Sequence, residues 1–195
     1  MIEHIIIPTL GRMDKQVTYN NLPKKYQDKV TFVVQAHEFE EMRERYGSAV
    51  IGLPDNISRI APTREWIFNN YRECRHMVFD DDLDFVVKEP NPGEGTKWLS
   101  RRFTEQDFDD AFGLMNQWMD EGIVYGGLLP AWVIPDVRQW PVRECQRIMT
   151  NVFYDGPNVP AGIEWNRVAA AEDFDVNLQL LTKGFKNRIS AKYMV

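Results

Sequence analysis

Apolar residues in this chain come in short unbroken runs and in longer stretches with helical spacing, and the two alternate through the first half. The run His4 to Pro8 is β-branched and stopped by proline, and Val30 to Gln35 has the same character; unbroken runs of this length predict buried strands. Thr9-Leu10-Gly11-Arg12 follows the first run as a loop at its carboxyl end, and the polar stretch Glu38 to Tyr46 follows the second as a helix stopped by Gly47. Ala49-Val50-Ile51 predicts a weaker strand, and beyond Pro62 the segment Thr63 to Cys74 carries Trp66, Ile67, Asn70 and Tyr71 at near-helical spacing. A fourth run, His76 to Phe79, ends directly in Asp80-Asp81-Asp82. Strands alternating with helices predict an α/β fold with a largely parallel sheet.

The second half is patterned differently. Glu89 to Ser100 is rich in proline and glycine and reads as a loop, in the manner of a mobile flap. Thr104 to Asp107 matches a helix capping box, after which Phe108, Ala111, Phe112, Met115, Trp118 and Met119 recur at helical spacing toward Gly122. An irregular stretch dense in glycine, proline and tryptophan follows, from Tyr125 through Trp132 to Trp140-Pro141, with a strand expected at Arg147 to Tyr154. A last helix is expected from near Ala169, with Phe174, Leu178 and Leu181 on one face and Gly184 at its end.

Composition narrows the class. With 195 residues, 44% hydrophobic and 27% charged, the chain has the size and make-up of a single folded domain. A net charge of −6 gives no global attraction to nucleic acid. Local clusters at Lys97, Arg101 and Arg102 and at Arg138, Arg143 and Arg147 run against that balance as a strip suited to a phosphate backbone. Cys74 and Cys145 lie far apart without metal-ligand spacing, which predicts reduced thiols. The opening Met1-Ile2-Glu3-His4 lacks the features of a signal peptide, and no stretch reaches the length of a membrane span, so a cytoplasmic location without a membrane partner is expected.

The chemistry concentrates at Asp80-Asp81-Asp82. Open α/β sheets bind ligands outside the carboxyl ends of their strands, and clustered carboxylates there are costly unless a cation offsets their repulsion. Magnesium or manganese takes hard oxygen ligands of this kind. On an extended backbone Asp80 and Asp82 point one way and Asp81 the other, which makes Asp80 and Asp82 the expected working pair.

In this order of elements the chain resembles the GT-A glycosyltransferases. Ile5-Ile6-Ile7-Pro8-Thr9-Leu10-Gly11-Arg12 resembles their first donor-binding strand and loop, and Val78-Phe79-Asp80-Asp81-Asp82 their acidic motif. The resemblance implies a single domain, residues 1–195, in which 1–88 bind the nucleotide-sugar and 89–195 form a smaller acceptor-binding region. It implies a metal-dependent transferase moving a sugar from a nucleotide-sugar, with a UDP-sugar as the expected donor, to an acceptor hydroxyl. Asp82 and Asp80 would hold Mn2+ or Mg2+, while Pro8, Thr9, Arg12, His37, Arg64, Asp80 and Asp81 would meet the donor. Arg64, whose fork suits phosphate, stands at the start of the helix before the motif strand. Ala171-Glu172-Asp173 resembles the acidic motif that opens an acceptor-side helix, with Asp173 as general base beside Glu172; a base without a protein nucleophile predicts inversion. Acids in a first turn also simply complement the helix dipole.

Trp132 and Trp140 are the aromatic candidates for stacking on the acceptor. Small enzymes of this type resemble those that bacteriophages use to glycosylate modified nucleobases, which makes a hydroxymethylated pyrimidine in DNA one acceptor. The late histidine that many members use as a metal ligand is missing, since none follows His76; either Asp82, the diphosphate and water hold the cation, or a residue of the tail 186–195 closes the donor site, with Lys183, Lys186 or Arg188 meeting the diphosphate instead. Two other classes fit the same pattern: a sugar-phosphate nucleotidyltransferase, whose glycine-rich basic first loop is lacking here, and a non-catalytic nucleotide-binding module.

Overall fold

The isoleucine run near the amino terminus becomes an inner strand in the computed structural model, which describes residues 1–93, 97–168 and 171–195. β1 (His4–Thr9) is followed by two short helices, α1 (Val17–Asn21) and α2 (Lys24–Gln27), then by β2 (Val30–Val34), α3 (Phe39–Tyr46), β3 (Val50–Gly52), α4 (Ile60–Tyr71) and β4 (Arg75–Phe79). The second half supplies β5 (Val86–Pro90), β6 (Trp98–Arg102), α5 (Glu105–Asp120), β7 (Tyr125–Leu129), β8 (Val142–Glu144), β9 (Asn151–Asp155), α6 (Glu172–Thr182) and β10 (Arg188–Met194).

The strands form one sheet in the order β3-β2-β1-β4-β9-β7-β10-β5-β6, with β8 paired to β10 off this path. β3, β2, β1 and β4 are parallel, in the order of a Rossmann-like half. β9 is antiparallel to both β4 and β7, and β10 is parallel to β7; β4, β7 and β10 therefore point the same way. The fold is α/β with a Rossmann-like, mostly parallel central sheet flanked by helices. One continuous sheet draws on both halves of the chain, and residue 88 falls inside β5.

Helices on both faces explain the unbroken apolar runs, since a strand covered twice has no solvent side. Ile5 and Ile7 face a layer built with Phe108, Phe112 and Met115 of α5. Ile6 faces the other, built with Ile67 and Phe68 of α4 and Val176 and Leu180 of α6. Full burial of each isoleucine contributes on the order of 2 kcal/mol. The start of α5 is the expected capping box: Thr104 Oγ1 accepts from the Asp107 N–H at 3.3 Å, and the Asp107 carboxylate accepts from the Thr104 N–H at 2.7 Å. Arg101 adds two donations at 2.5 and 2.9 Å, which holds the Asp107 carboxyl well below its ordinary value.

Several expectations change. The Glu89–Ser100 loop is largely a hairpin, because β5 and β6 extend into it from both sides and pair antiparallel; residues 94–96 of that segment lie outside the described residues. α4 begins at Ile60, before Pro62, since a proline in the first turn lacks only an N–H that has no helical partner there. Residues 169 and 170, where the last helix was expected to begin, also lie outside the described residues. α6 turns its expected apolar face outward: Phe174 and Leu178 are 40% and 42% exposed, whereas Val176, Asn177, Gln179 and Leu180 are buried. The carboxyl-terminal residues expected as a tail form β10, an inner strand. Arg188 opens that strand at its amino end, away from the edge where β4 ends, and pairs there with Glu121 and Glu144; Lys186 also faces Glu144, at 3.8 Å. Neither residue reaches the aspartates by this route.

His76 on β4 is fully buried among Phe68, Tyr71 and Tyr154, its Nδ1 lies 3.2 Å from the Cys74 carbonyl, and Nε2 has no partner among the described residues. Burial pushes its pKa down to about 4 from an ordinary 6.5. Between those values the unfolded chain binds a proton that the folded one refuses, so stability is full above the ordinary value and falls as the pH drops. Denaturant titrations should show a loss of roughly 2 kcal/mol from this residue between pH 7 and pH 5, and His76→Phe should flatten that part of the profile.

Candidate functional site

β2 lies on one side of β1 and β4 on the other, so strand order reverses between β1 and β4 and a crevice opens beyond their carboxyl ends. The crevice has a volume of about 330 Å³ and is lined by Pro8 and Thr9 at the end of β1, Arg12 from the loop after it, Arg64 from α4, and Asp80, Asp81 and Asp82. Ser58, Arg59 and Thr63 also line it, which brings the amino end of α4, with its unsatisfied N–H groups, to the same space.

All three aspartates face this crevice, contrary to the expected split. β4 ends at Phe79, and the acids follow in a turn where strand alternation no longer applies. The Asp80 N–H donates to the Thr150 carbonyl at 2.8 Å, and Thr18 Oγ1 donates to the Asp80 carbonyl at 2.5 Å. Thr18 also accepts from the Leu83 N–H at 2.8 Å, so one threonine clamps both ends of the turn.

The carboxylates are shared between two arginines. Arg12 Nη1 lies 2.9 Å from Asp81 Oδ1 and 2.6 Å from Asp82 Oδ2, in a region where the Arg12 side chain is 46% exposed. Asp81 is buried and also accepts from Thr9 Oγ1. Arg64, with a side chain only 12% exposed, reaches Asp80 through Nη2 and Glu172 through Nη1, both at 3.0 Å. Its Nε is buried with no hydrogen-bond partner among the described residues. Burial pushes the Asp80 carboxyl above its ordinary value, opposed by Arg64 and reinforced by the charges of Asp82 and Asp81.

Other expected residues fall at different distances from this centre. His37 is exposed and lines an adjoining cavity with Leu10, Gln35 and Ser58, all three of which also line the main crevice. Glu172 is buried in its pair with Arg64, and Asp173 lines a small inner cavity on the far side of Arg64, its Oδ1 accepting from the Phe174 N–H at 2.8 Å. Trp132 and Trp140 line neither cavity: Trp132 is exposed, and Trp140 packs on Trp98. Gln16 carried no sequence signal, and Glu38, expected beside His37 at the nucleoside, instead joins Gln16 in holding the first loop. Gln16 Nε2 donates to Thr9 Oγ1 and to the Arg12 carbonyl, and Glu38 accepts from the Gly11 N–H at 2.6 Å.

No group of three or more His, Cys, Asp or Glu side chains among the described residues could by itself hold a metal ion. Asp82, with a side chain 51% exposed at the crevice, is the most open carboxylate. This donor set fits a cation that takes its remaining ligands from phosphate and water, as magnesium commonly does.

Residues 3–195 match the family model of the TET-associated glycosyltransferases. The chain belongs to that family. It is a glycosyltransferase. Relatives include a "Beta-glucosyl-HMC-alpha-glucosyl-transferase" of Enterobacteria phage T6, 26% identical over 97% of this chain and 69% of the relative, and its phage T2 counterpart, 25% identical over the same shares. Solved structures with the same fold include a CMP:2-keto-3-deoxy-manno-octonic acid synthetase complexed with CTP, with a TM-score of 0.53 and 12% identity over 97% of this chain and 89% of that one. A glucose-1-phosphate thymidylyltransferase from Bacillus anthracis, described as putative and in complex with sucrose, gives a TM-score of 0.50 and 12% identity over 97% and 85%. At that identity the likeness shows the fold alone. No helix among the described residues of this family member is long and apolar enough to cross a membrane.

Arg64 is the charge that restrains Asp80. Arg64→Gln should raise the Asp80 pKa further, read from the pH titration of its carboxyl carbon resonance, and should destabilise the fold by about 3 kcal/mol because the buried Glu172 and the partly buried Asp80 lose their partner.

Proposed function

We propose that this glycosyltransferase takes a sugar from a nucleotide-sugar, with a UDP-sugar as the first donor to test, and moves it to a hydroxyl on a modified DNA base. The observation that carries this reading is the convergence of Arg12, Arg64 and the amino end of α4 on one crevice with three aspartates. A diphosphate there meets two guanidinium forks and the positive end of a helix. Pro8 and Thr9 then line the donor's path toward the adjoining cavity of His37, which suits the nucleoside. The acceptor class is supported by the phage relatives, whose name specifies transfer to β-glucosyl-HMC.

Asp82, with Asp80 beside it, would hold Mn2+ or Mg2+ jointly with the donor phosphates. Bound there, the cation supplies positive charge to the departing diphosphate. Arg12 and Arg64 orient the phosphates from either side of the aspartates. Asp173 is the proposed base: it removes the acceptor hydroxyl proton as the oxygen attacks the anomeric carbon. Glu172, held by Arg64 at 3.0 Å, fixes the start of α6 and with it Asp173. Direct attack of this kind inverts the anomeric centre. A second stereochemical outcome is favoured by the relatives' name, which specifies alpha-glucosyl transfer; from an α-linked donor that is retention, and it leaves Asp173 a charge-stabilising role.

Two measurements test this. Calorimetry with UDP-sugars should give binding that requires Mn2+ or Mg2+ and that Asp82→Ala weakens at least about tenfold; metal-independent binding, or none, would overturn the donor site. Asp173→Asn should leave donor affinity nearly unchanged while lowering kcat by about two orders of magnitude or more. The anomeric configuration of the product, read by NMR, decides between the two outcomes: an inverted product keeps Asp173 as the base, and a retained one removes that role.

A further inference from the structure

The loop that leaves β7, Pro130 to Trp140, divides its side chains between protein and solvent. Ala131, Val133 and Trp140 pack against Leu129, Ile189, Ala191 and Met194, and the Trp140 ring lies 4.9 Å from that of Trp98. Lys88 reaches in and donates from Nζ to the carbonyls of Ala131 and Val133. Held at these points, the loop presents Trp132, Ile134 and Val137 outward, 76%, 74% and 65% exposed. Isolated exposed apolar residues are ordinary, but three on one anchored loop form a patch that marks an interaction site.

Position and charge select the partner. β7 runs in the same direction as β4 with only β9 between them, so the loop leaves the sheet at the edge that carries Asp80-Asp81-Asp82. Two strand spacings separate their roots, on the order of 10 Å. Residues 97–102 and 130–143, joined through the Trp98–Trp140 contact, carry Lys97, Arg101, Arg102, Arg138 and Arg143 against one acid, Asp136, in a chain of net charge −6. Arg101 is committed to Asp107, but the side chains of Arg102 and Arg138 are 77% and 85% exposed. The Arg102–Asp84 pair is exposed and long, at 3.5 Å, and therefore weak; Arg138 holds Asp136 through two donations at 3.1 and 2.9 Å on its own loop, and with its side chain open to solvent a phosphate competes for it. A second copy of this chain, docked patch to patch, would set arginine against arginine.

We infer that this loop is the DNA-docking element of the acceptor side, with Trp132, flanked by Ile134 and Val137, stacking on bases beside the acceptor while Arg138 and Arg102 meet the strand's phosphates. Aromatic faces flanked by cations suit single-stranded or locally opened DNA, since every base has a face to stack and every nucleotide a phosphate. Trp140 belongs to the loop's anchor and Trp132 to its contact. This role rests on the modified-DNA acceptor proposed above.

The test is fluorescence anisotropy of a labelled single-stranded oligonucleotide without modified bases, titrated with the full chain at several salt concentrations. Trp132→Ala should weaken binding about tenfold or more and Trp132→Phe should retain most of it, whereas Arg138→Ala should reduce the salt slope by about one. Sedimentation should show wild type and Trp132→Ala in the same oligomeric state. Wild-type affinity in both Trp132→Ala and Ile134→Ser, no DNA binding at all, or a wild-type dimer that Trp132→Ala dissociates would each overturn the assignment. Donor binding is scored separately, by thermal shift of the wild-type chain with a UDP-sugar and Mn2+. DNA binding through Trp132 without a donor shift sinks the donor site and leaves the docking loop standing. A donor shift with DNA binding indifferent to Trp132 does the reverse.

Discussion

Three consecutive carboxylates at the end of a buried strand repel one another and lose hydration, and the crevice is organised around how that repulsion is met. Two arginines from different parts of the chain divide the task. Arg12 rises from the loop after β1 to bridge Asp81 and Asp82, and Arg64 projects from α4 to bridge Asp80 and Glu172. The first contact fastens the first loop to the acidic turn, and the second fastens α4 and α6 to it. Four segments remote in sequence thus meet because one turn carries more negative charge than it could hold alone.

The two arginines are not equivalent. Arg12 is half exposed, where an ion pair is screened and contributes little, so its guanidinium can exchange one oxyanion partner for another at small cost. Arg64 is nearly enclosed, and so is its partner Glu172; removing it strands buried charge. Polar support extends from both. Gln16, fully buried, ties Thr9 to the Arg12 carbonyl. Behind α6, Asn177 accepts from Asn187 at 2.7 Å and Gln179 bonds the Glu164 backbone. α6 is therefore held inward by amides as well as by Val176 and Leu180.

That polar anchoring explains where the sequence was legible. Ile5-Ile6-Ile7, Phe32-Val33-Val34 and Met77-Val78-Phe79 are buried on both faces, and only an unbroken apolar run satisfies such a position, so β1, β2 and β4 were readable. α5 packs a single apolar stripe and announces its start through Thr104 and Asp107, so it was readable too. α6 was misread because Asn177 and Gln179 occupy buried positions that a hydrophobic pattern assigns to solvent, leaving Phe174 and Leu178 to define the wrong face. β7 escaped notice because Gly126 and Gly127 are demanded by close approach: a Cβ at Gly126 would lie 2.2 Å from the Arg188 carbonyl oxygen and 2.5 Å from the Phe153 ring. Glycine required by packing looks, in sequence, like glycine required by a loop. The residues that gather at the crevice were largely readable, because charge clustered after a buried run has few bland explanations. Their pairing was not, since Arg12 lies 69 and 70 residues from its aspartate partners and Arg64 lies 16 from Asp80, and they meet only through the sheet order.

On the proposed function, these pairings bear directly on donor binding. A diphosphate entering the crevice competes with Asp81 and Asp82 for Arg12, and whichever anion loses is left without a counter-charge. Phosphate binding that simply displaced the aspartates would recreate the repulsion that Arg12 relieves in the free protein. Under that proposal a divalent cation held at Asp82 would resolve the conflict, because it would supply the charge that the aspartates lose if Arg12 turns to phosphate. Arg64, locked between Asp80 and Glu172, has less freedom to follow and would keep the acidic turn and the start of α6 in register if the exposed side of the crevice moved. The closeness of Arg12 to two aspartates is thus consistent with a metal-assisted donor site, and the division between an exposed and a buried arginine gives that site one adaptable wall and one fixed wall.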